Sequence, residues 1–311
     1  MKKLTELIQT RQRQVILGLA LILASVWSGF GLIYYAHWRE ARPAPVVIVE
    51  AKEVSPDKYF ANLDLAATAY AVYDADRGDL IAGHNEQAIL SLASITKVMT
   101  ALALTEATGS RRQVYIGNID YGAGGNVGGL IPGESWQVRD LLALTLVGSS
   151  NYGAEALAQA TDDSLVELMN RQAQALNLSS FAFTNTTGLD EGIEPGGQGS
   201  ALDVARLFAH ILKHQPELMV PTREVFIRET SLDHFEHTVV NTNKIIDRLP
   251  GILASKTGYT QIAGGNLAVA VNLGLRRPTV FVVLGSTPEG RFTDTEKLVA
   301  AAQAFYTDLN H

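Results

Sequence analysis

From Gln14 to Ala36 the chain runs "QVILGLALILASVWSGFGLIYYA" without a single charged position. That run is longer than the ~20 residues an α-helix needs to cross hydrocarbon. Lys2, Lys3, Arg11 and Arg13 precede it, while Tyr34, Tyr35 and Trp38 follow. The positive-inside rule and the aromatic belt then keep the N-terminus in the cytoplasm and place the rest of the chain outside. A cleaved signal peptide is the competing reading. Its apolar core is shorter, ~7–15 residues, and ends at a small-x-small site that this run lacks. The pattern predicts a cytoplasmic tail over 1–13 and a single-pass anchor in the cell membrane over 14–37, with everything after it extracytoplasmic.

Residues 38–65 mix prolines, charges and short apolar pieces without a period, which predicts a tether. Folded structure is expected over 66–311. It begins with "ATAYAVYDADRGDLIAGHN", two alternating β-prone runs around Asp74–Gly78 that read as a hairpin. Helical spacing follows over 94–107, 138–147, 152–160, 163–176 and 201–214. Strand-like runs return in "REVFIRET", "HTVVN", "GILASKTGYT", "GNLAVAVNLG" and "PTVFVVLGS", and an amphipathic helix spans 293–309. Strands at both ends with helices between them predict an α+β fold. Its antiparallel sheet is built from both chain ends, with flanking helices and a helical insertion, and a cleft at the junction is the default site.

Composition narrows the function. With 311 residues, 47% hydrophobic and 18% charged, the chain can bury a real core. The net charge of -7 is spread out with no basic stripe, which argues against nucleic acid as a partner. Cysteine is absent, so a disulfide framework, a thiolate metal site and a cysteine nucleophile are excluded. His210 and His214 have the i, i+4 spacing of a metal helix but lack the glutamate of a zinc protease. Together with His234 and His237 they are expected to face solvent, and no metal is expected. "YGAGGNVGGLIPG" fails as a dinucleotide loop, because Val127 stands where the third glycine is needed, and reads as a flexible loop near the cleft.

The chemistry starts in "SLASITKVMT", where Ser94 and Lys97 share one helical face among Leu, Ala, Ile, Val and Met. Burying an amine is unfavourable unless something uses it. A serine hydroxyl needs a base before it can attack, and lysine becomes that base when an apolar surround and a second cation lower its pKa. A second cation stands in "SKTGYT", where Lys256, Thr257 and Gly258 lie on a β-patterned run. Between the two, "VGSSNYG" places Ser149 and Asn151 in a loop joining two helices. Taken singly, S-x-x-K, S-x-N and K-T-G mark a helix surface, a loop cap and a strand end in many chains. In this order they form the triple of penicillin-binding proteins and β-lactamases.

Over nearly all of 66–310 the chain resembles the low-molecular-mass penicillin-binding proteins, the serine-type D-alanyl-D-alanine carboxypeptidases. "SLASITKVMTALAL" looks like their nucleophile helix, and "GGLIPGESWQVRDLLALTLVGSSNYGAEALA" is similar to the approach to their second motif. "FTNTTGLDEG", "SALDVARL" and "NTNKIIDRLPGILASKTGYTQIAGGNLA" follow as in that family. The resemblance implies a serine β-lactamase/transpeptidase-like fold, peptidoglycan stem peptides as substrate, β-lactam antibiotics as inhibitors, and no cofactor. It implies that Ser94 is acylated, with Lys97 as base, and that Ser149 relays a proton to the leaving D-alanine nitrogen. Asn151 would bind the peptide amide and Lys256 would hold Lys97 neutral and Ser149 oriented. Thr257 would bond the terminal carboxylate, and Ser94 and Tyr259, just past Gly258, would offer oxyanion N–H groups. The strand from Leu253 to Thr260 would pair with the extended peptide.

An endopeptidase or a β-lactamase would share this machinery. A non-catalytic wall-peptide binder would not need an activated serine. The resemblance has two departures. Members commonly continue into a second β-rich domain and a C-terminal anchor, whereas this chain stops at His311, so the N-terminal span is expected to substitute. Tyr152 stands where an acidic residue is frequent. Asp190 and Glu191, in "GLDEG", are expected to cap a loop and not to activate water, so that a penicillin adduct persists. Arg276 and Arg277 are candidates for the substrate carboxylate.

Overall fold

The computed structural model describes residues 2–40, 54–109, 112–118, 127–274 and 277–309. Two compact units emerge, Met1–Lys52 and Glu53–His311. The first contains helix α1 (Lys2–Glu40), which runs unbroken through the expected tail and anchor. Its segment Arg13–Tyr35, 23 residues with a mean hydropathy of 2.2, has the length and composition to cross a bilayer.

The description of the second unit begins at Val54, and within the stretch expected as a tether, 38–65, residues 38–40 continue α1 and residues 57–60 form a helix. Residues 41–53 lie outside the described residues. Helix α2 (Asp57–Phe60) buries Phe60 and sets Tyr59 edge-on against Phe305, with ring centroids 5.8 Å apart. Val54, Leu63 and Leu65 pack against the same core, and a composition average over this stretch hides such isolated contacts.

The hairpin prediction is met by β1 (Ala69–Asp74) and β2 (Asp79–His84), turned by Asp74, whose Oδ1 accepts the N–H groups of Asp76 and Arg77. Then come β3 (Leu90–Ser91), α3 (Thr96–Thr108), β4 (Gln113–Tyr115), β5 (Ser135–Gln137), α4 (Val138–Gly148), α5 (Asn151–Ala158) and α6 (Leu165–Ala175). They are followed by β6 (Ala182–Phe183), β7 (Gly197–Gly199), α7 (Ala201–His214), β8 (Phe226–Thr230) and β9 (Glu236–Val240). The chain closes with β10 (Ile252–Thr260), β11 (Gly264–Asn272), β12 (Pro278–Ser286) and α8 (Gly290–Leu309). Helix α7 matches its predicted bounds because Ser200 caps it, accepting from the N–H of Asp203. The two- and three-residue strands β3 to β7 escaped prediction, since so few positions carry no readable period.

The main sheet is antiparallel in the order β10-β11-β12-β1-β2, joining both chain ends as expected. Alternation divides its side chains between two layers. Tyr70, Val72, Val269, Phe281 and Val283 pack with Leu298, Val299 and Phe305 of α8. On the opposite face Ala69, Ala71, Ala268, Ala270 and Val282 join the helices of the insertion. Alanines on that face let the helical layer approach closely, and the 3-10 turn Ala93–Ile95 that precedes α3 packs against β10.

Candidate active site

Ser94 lies in a single 3-10 turn, Ala93–Ile95, and not within the α-helix expected from residue 94, because Ala93 adopts a left-handed backbone with φ 48°. That conformation costs an L-residue about 1–2 kcal/mol, so surrounding structure must hold it. A Cβ at Gly258 would sit 2.7 Å from the Leu92 carbonyl oxygen and 3.2 Å from the Ser94 nitrogen, so β10 can approach the turn only with glycine there. From the other side Gly188, at φ 77°, leaves no room for a Cβ, which would fall 1.9 Å from the Ala93 oxygen. Asn266 of β11 adds a third tie, donating to the Ser91 carbonyl at 2.9 Å while accepting the Gly285 N–H at 2.8 Å.

Lys97, the second residue of α3, is 1% exposed. Its Nζ lies 2.9 Å from Ser94 Oγ, 2.7 Å from Asn151 Oδ1 and 2.6 Å from the Thr187 carbonyl oxygen. A carbonyl and an amide oxygen can only accept. A neutral amine has two hydrogens for those two acceptors and one lone pair left for the Ser94 hydroxyl. Burial pushes the Lys97 pKa well below the ordinary lysine value, the charge on Lys256 pushes it the same way, and Glu155 opposes both.

Lys256, also 1% exposed, donates to Ser149 Oγ at 2.9 Å and to the Thr257 carbonyl at 3.0 Å. Burial, helped by the nearby Arg291, brings its pKa down to about 7. Ser149 caps α4 in the left-handed region, φ 58°, between the two helices as expected, whereas Asn151 is already the first residue of α5 and not part of the loop. Thr257 shares a 2.6 Å hydrogen bond with Thr242 through their hydroxyls, and Tyr259 is half exposed on the same strand. Ser94, Lys97, Ser149, Asn151, Lys256, Thr257 and Gly258 thus come together in one neighbourhood.

Several partners carried no sequence signal. The Thr187 carbonyl is placed by Asn185, whose Oδ1 accepts the N–H groups of Thr187 and Gly188 and whose Nδ2 donates to Leu189. Arg291 donates to the Gly258 carbonyl at 2.6 Å, and its Nε is buried without a partner. The arginine beside the strand is therefore Arg291. Arg277 instead sits at the β11–β12 turn with its guanidinium 4.8 Å from the Tyr306 ring centroid, and Arg276 lies outside the described residues.

Other expectations are settled by packing. Glu191 accepts from Asn185 Nδ2 at 3.2 Å, in keeping with loop capping, while Asp190 Oδ1 is buried with no partner. Tyr152 is buried and donates to the Gly117 carbonyl at 2.9 Å, so it fills its position as a core residue. His214 and His234 are exposed and His210 is partly buried. His237 is a correction: it is buried, because the alternation of β9 turns it inward beside Val239. Most of the glycine-rich loop, 119–126, lies outside the described residues. Among the described residues no group of three or more His, Asp or Glu could hold a metal ion.

Residues 51–287 match the D-alanyl-D-alanine carboxypeptidase family. The D-alanyl-D-alanine carboxypeptidase DacF of Bacillus subtilis is 30% identical over 258 residues, covering 80% of this chain and 65% of the relative's length. The crystal structure of a D-alanyl-D-alanine carboxypeptidase from Mycobacterium tuberculosis superposes with a TM-score of 0.71 at 28% identity, covering 78% of this chain and 92% of that one. A penicillin-binding protein of Listeria monocytogenes in its cefotaxime-bound form gives a TM-score of 0.69 at 27% identity, covering 77% and 98%.

Proposed function

Because this chain belongs to the D-alanyl-D-alanine carboxypeptidase family, we propose that it removes the terminal D-alanine of peptidoglycan stem peptides through an acyl-enzyme on Ser94. The observation that carries this reading is the contact set of Lys97: two obligate acceptors and one hydroxyl around a buried amine. That arrangement suits an uncharged base next to a nucleophile.

In the acylation step, Ser94 Oγ gives its proton to Lys97 Nζ and forms a bond to the carbonyl carbon of the penultimate D-alanine. Negative charge gathering on the carbonyl oxygen is met by the N–H groups of Ser94 and Tyr259. The peptide bond breaks as its nitrogen takes a proton relayed by Ser149, which Lys256 holds, and D-alanine leaves. Water then cleaves the ester and restores Ser94. Thr257 and the partly buried, incompletely paired guanidinium of Arg291 favour a carboxylate at the end of the substrate. Asn151 holds Lys97 and has its amide N–H₂ left for the peptide. The strand from Leu253 to Thr260 offers an edge on which an extended peptide can add.

β-Lactam antibiotics are inhibitors on this reading. They place a strained amide and a carboxylate where the substrate has a peptide and a carboxylate, and the Listeria relative binds cefotaxime. Helix α1 anchors the protein once in the cell membrane, with residues 1–13 cytoplasmic and the catalytic domain, residues 66–311, outside. The test uses the full chain in detergent with a labelled penicillin and, separately, a stem pentapeptide. The expected results are a lasting adduct on Ser94 and release of D-alanine. No adduct would favour a binding protein, and rapid turnover of the adduct would favour a β-lactamase.

A further inference from the structure

Glu134 and His237 are buried ionisable groups that none of these steps uses. The side chain of His237 on β9 is 4% exposed and that of Glu134, next to β5, is 1% exposed. Nδ1 of His237 lies 2.8 Å from the Gly128 carbonyl oxygen, and Nε2 lies 3.1 Å from Glu134 Oε1. A carbonyl can only accept, so Nδ1 carries a hydrogen, and a second proton lies between Nε2 and the carboxylate, whichever of the two owns it. Trp136 Nε1 donates to Glu134 Oε2 at 3.0 Å, and its ring centroid is 5.1 Å from that of the imidazole. Every polar side-chain atom of the cluster is satisfied. Apolar side chains of equal volume would serve bulk stability as well or better, which turns attention to what the directional bonds hold.

They hold backbone that borders the reaction cleft. Gly128 follows Val127, whose carbonyl accepts from the Ser150 hydroxyl at 3.0 Å. Ser150 stands between Ser149 and Asn151 and caps α5, its Oγ accepting from the Gly153 N–H at 3.1 Å. Just past the same strand as His237, Thr242 donates its N–H to the Val147 carbonyl at 3.3 Å and bonds Thr257 through its hydroxyl. The Ser149–Asn151 turn is thus tied to His237 along both the 127–128 segment and β9.

We propose that the Glu134–His237 pair is a positioning device for the reaction: through Gly128, Val127 and Ser150 it fixes the turn that aims the Ser149 hydroxyl and the Asn151 amide oxygen at the two lysines. The proposal rests on the acyl-transfer reading above, because a binder would have no use for such aim. Two further carboxylates belong to the same neighbourhood. Glu229 is paired across the hairpin from His237, and Asp140 of α4 acts on Glu229. Neither is a hydrogen-bond partner of the imidazole in the structure.

The test is stopped-flow acylation of the full chain in detergent by a fluorescent penicillin, separating initial binding from the acylation rate constant, with melting temperatures measured alongside. His237→Gln keeps a donor near the Nε2 position for Glu134 but loses the bond to Gly128. His237→Asn keeps a donor near the Nδ1 position for Gly128 but loses Glu134. A displacement of about an ångström can change a rate by about 10²-fold, so His237→Gln is expected to slow acylation by at least about tenfold with initial binding nearly unchanged. His237→Asn is expected to recover part of that loss even though Glu134 Oε1 is left without its imidazole partner and its melting temperature falls. Ser150→Ala cuts the same link at its other end, and its effect on the rate should not add to that of His237→Gln. Acylation of His237→Gln at the wild-type rate, or rates that simply follow melting temperature across the variants, would overturn the proposal. If His237→Gln does not fold, Ser150→Ala decides alone, and an unchanged rate counts against the proposal. An unlabelled wild-type Ser94 would instead remove the acyl-transfer reading and this proposal with it.

Discussion

Where the sheet meets α8, Phe281 and Val283 pack with Leu298, Val299 and Phe305, all buried, and the few ionisable side chains there are hydrogen-bonded, Asp294 to Ser286 and Tyr306 to Asp74. At the β10 edge the same sheet presents Lys256 to a cleft that also buries Lys97, beside two non-glycine residues in left-handed backbone, Ala93 and Ser149. The first region obeys every rule of a stable core. The second breaks several at once: buried amines, positive φ, and a hydroxyl in place of apolar contact. Strain of this kind persists only where its surroundings over-determine it. Here Gly258, Gly188 and Asn266 supply that support. The α8 face therefore contributes stability that the cleft spends on chemistry.

The comparison can be broken from either side. Lys97→Met removes the proposed base, and acylation of Ser94 by a labelled penicillin should fall by about 10²–10⁴-fold with far-ultraviolet circular dichroism unchanged. A variant that still acylates normally would show that the cleft needs no buried amine. Phe281→Ala attacks the other region. It should cost about 3–5 kcal/mol in denaturant unfolding, with the acylation rate constant of the folded fraction near wild type. A comparable loss of rate would mean that the two regions are not separable.

Lys256→Met sharpens the contrast, since it should abolish turnover yet stabilise the fold by roughly 4 kcal/mol at neutral pH. The sign follows from linkage. Lys256 titrates at about 7 when folded against ~10.4 in an unfolded chain. Between those values the unfolded state binds the extra proton, so wild-type stability erodes as pH falls through the window, and the erosion is complete below it. The advantage of the methionine variant should be full at about pH 7 and vanish above ~10.4. Equal stability of the two proteins throughout the window would contradict the burial argument. The smallest effect is that of Arg291→Gln. Removing this cation takes away the second cause of the Lys256 depression, so the pH at which Lys256 loses its proton should rise. The measurement is the alkaline limb of the acylation rate, which should move upward.

Much of this second region could be read from the chain before any coordinates. Ser94, Lys97, Ser149, Asn151 and Lys256 were legible because side chains at fixed spacings carry their chemistry in their letters. The sheet was legible too, since "GNLAVAVNLG" and "PTVFVVLGS" are apolar on both faces, as strands covered on both sides must be. What stayed hidden was long-range or made of backbone. The carbonyl of Thr187 that completes the Lys97 contacts has no letter of its own, and Arg291 reaches Gly258 across a separation no local pattern spans. The left-handed Ala93 gave no warning either, because alanine suits a helix. His237 is different, for the alternation in "EHTVV" already placed it on the same side as Val239, and weighing that period above the usual exposure of histidine would have found it.

The central claim is that Lys97 is uncharged beside Ser94 at physiological pH, and the pH dependence of Ser94 acylation by a labelled penicillin tests it most directly. With burial and the charge of Lys256 holding the Lys97 pKa well below its ordinary value, the rate should reach its maximum near neutrality. An acylation rate that continues to climb through ~10.4, the pKa of an ordinary lysine, would contradict it.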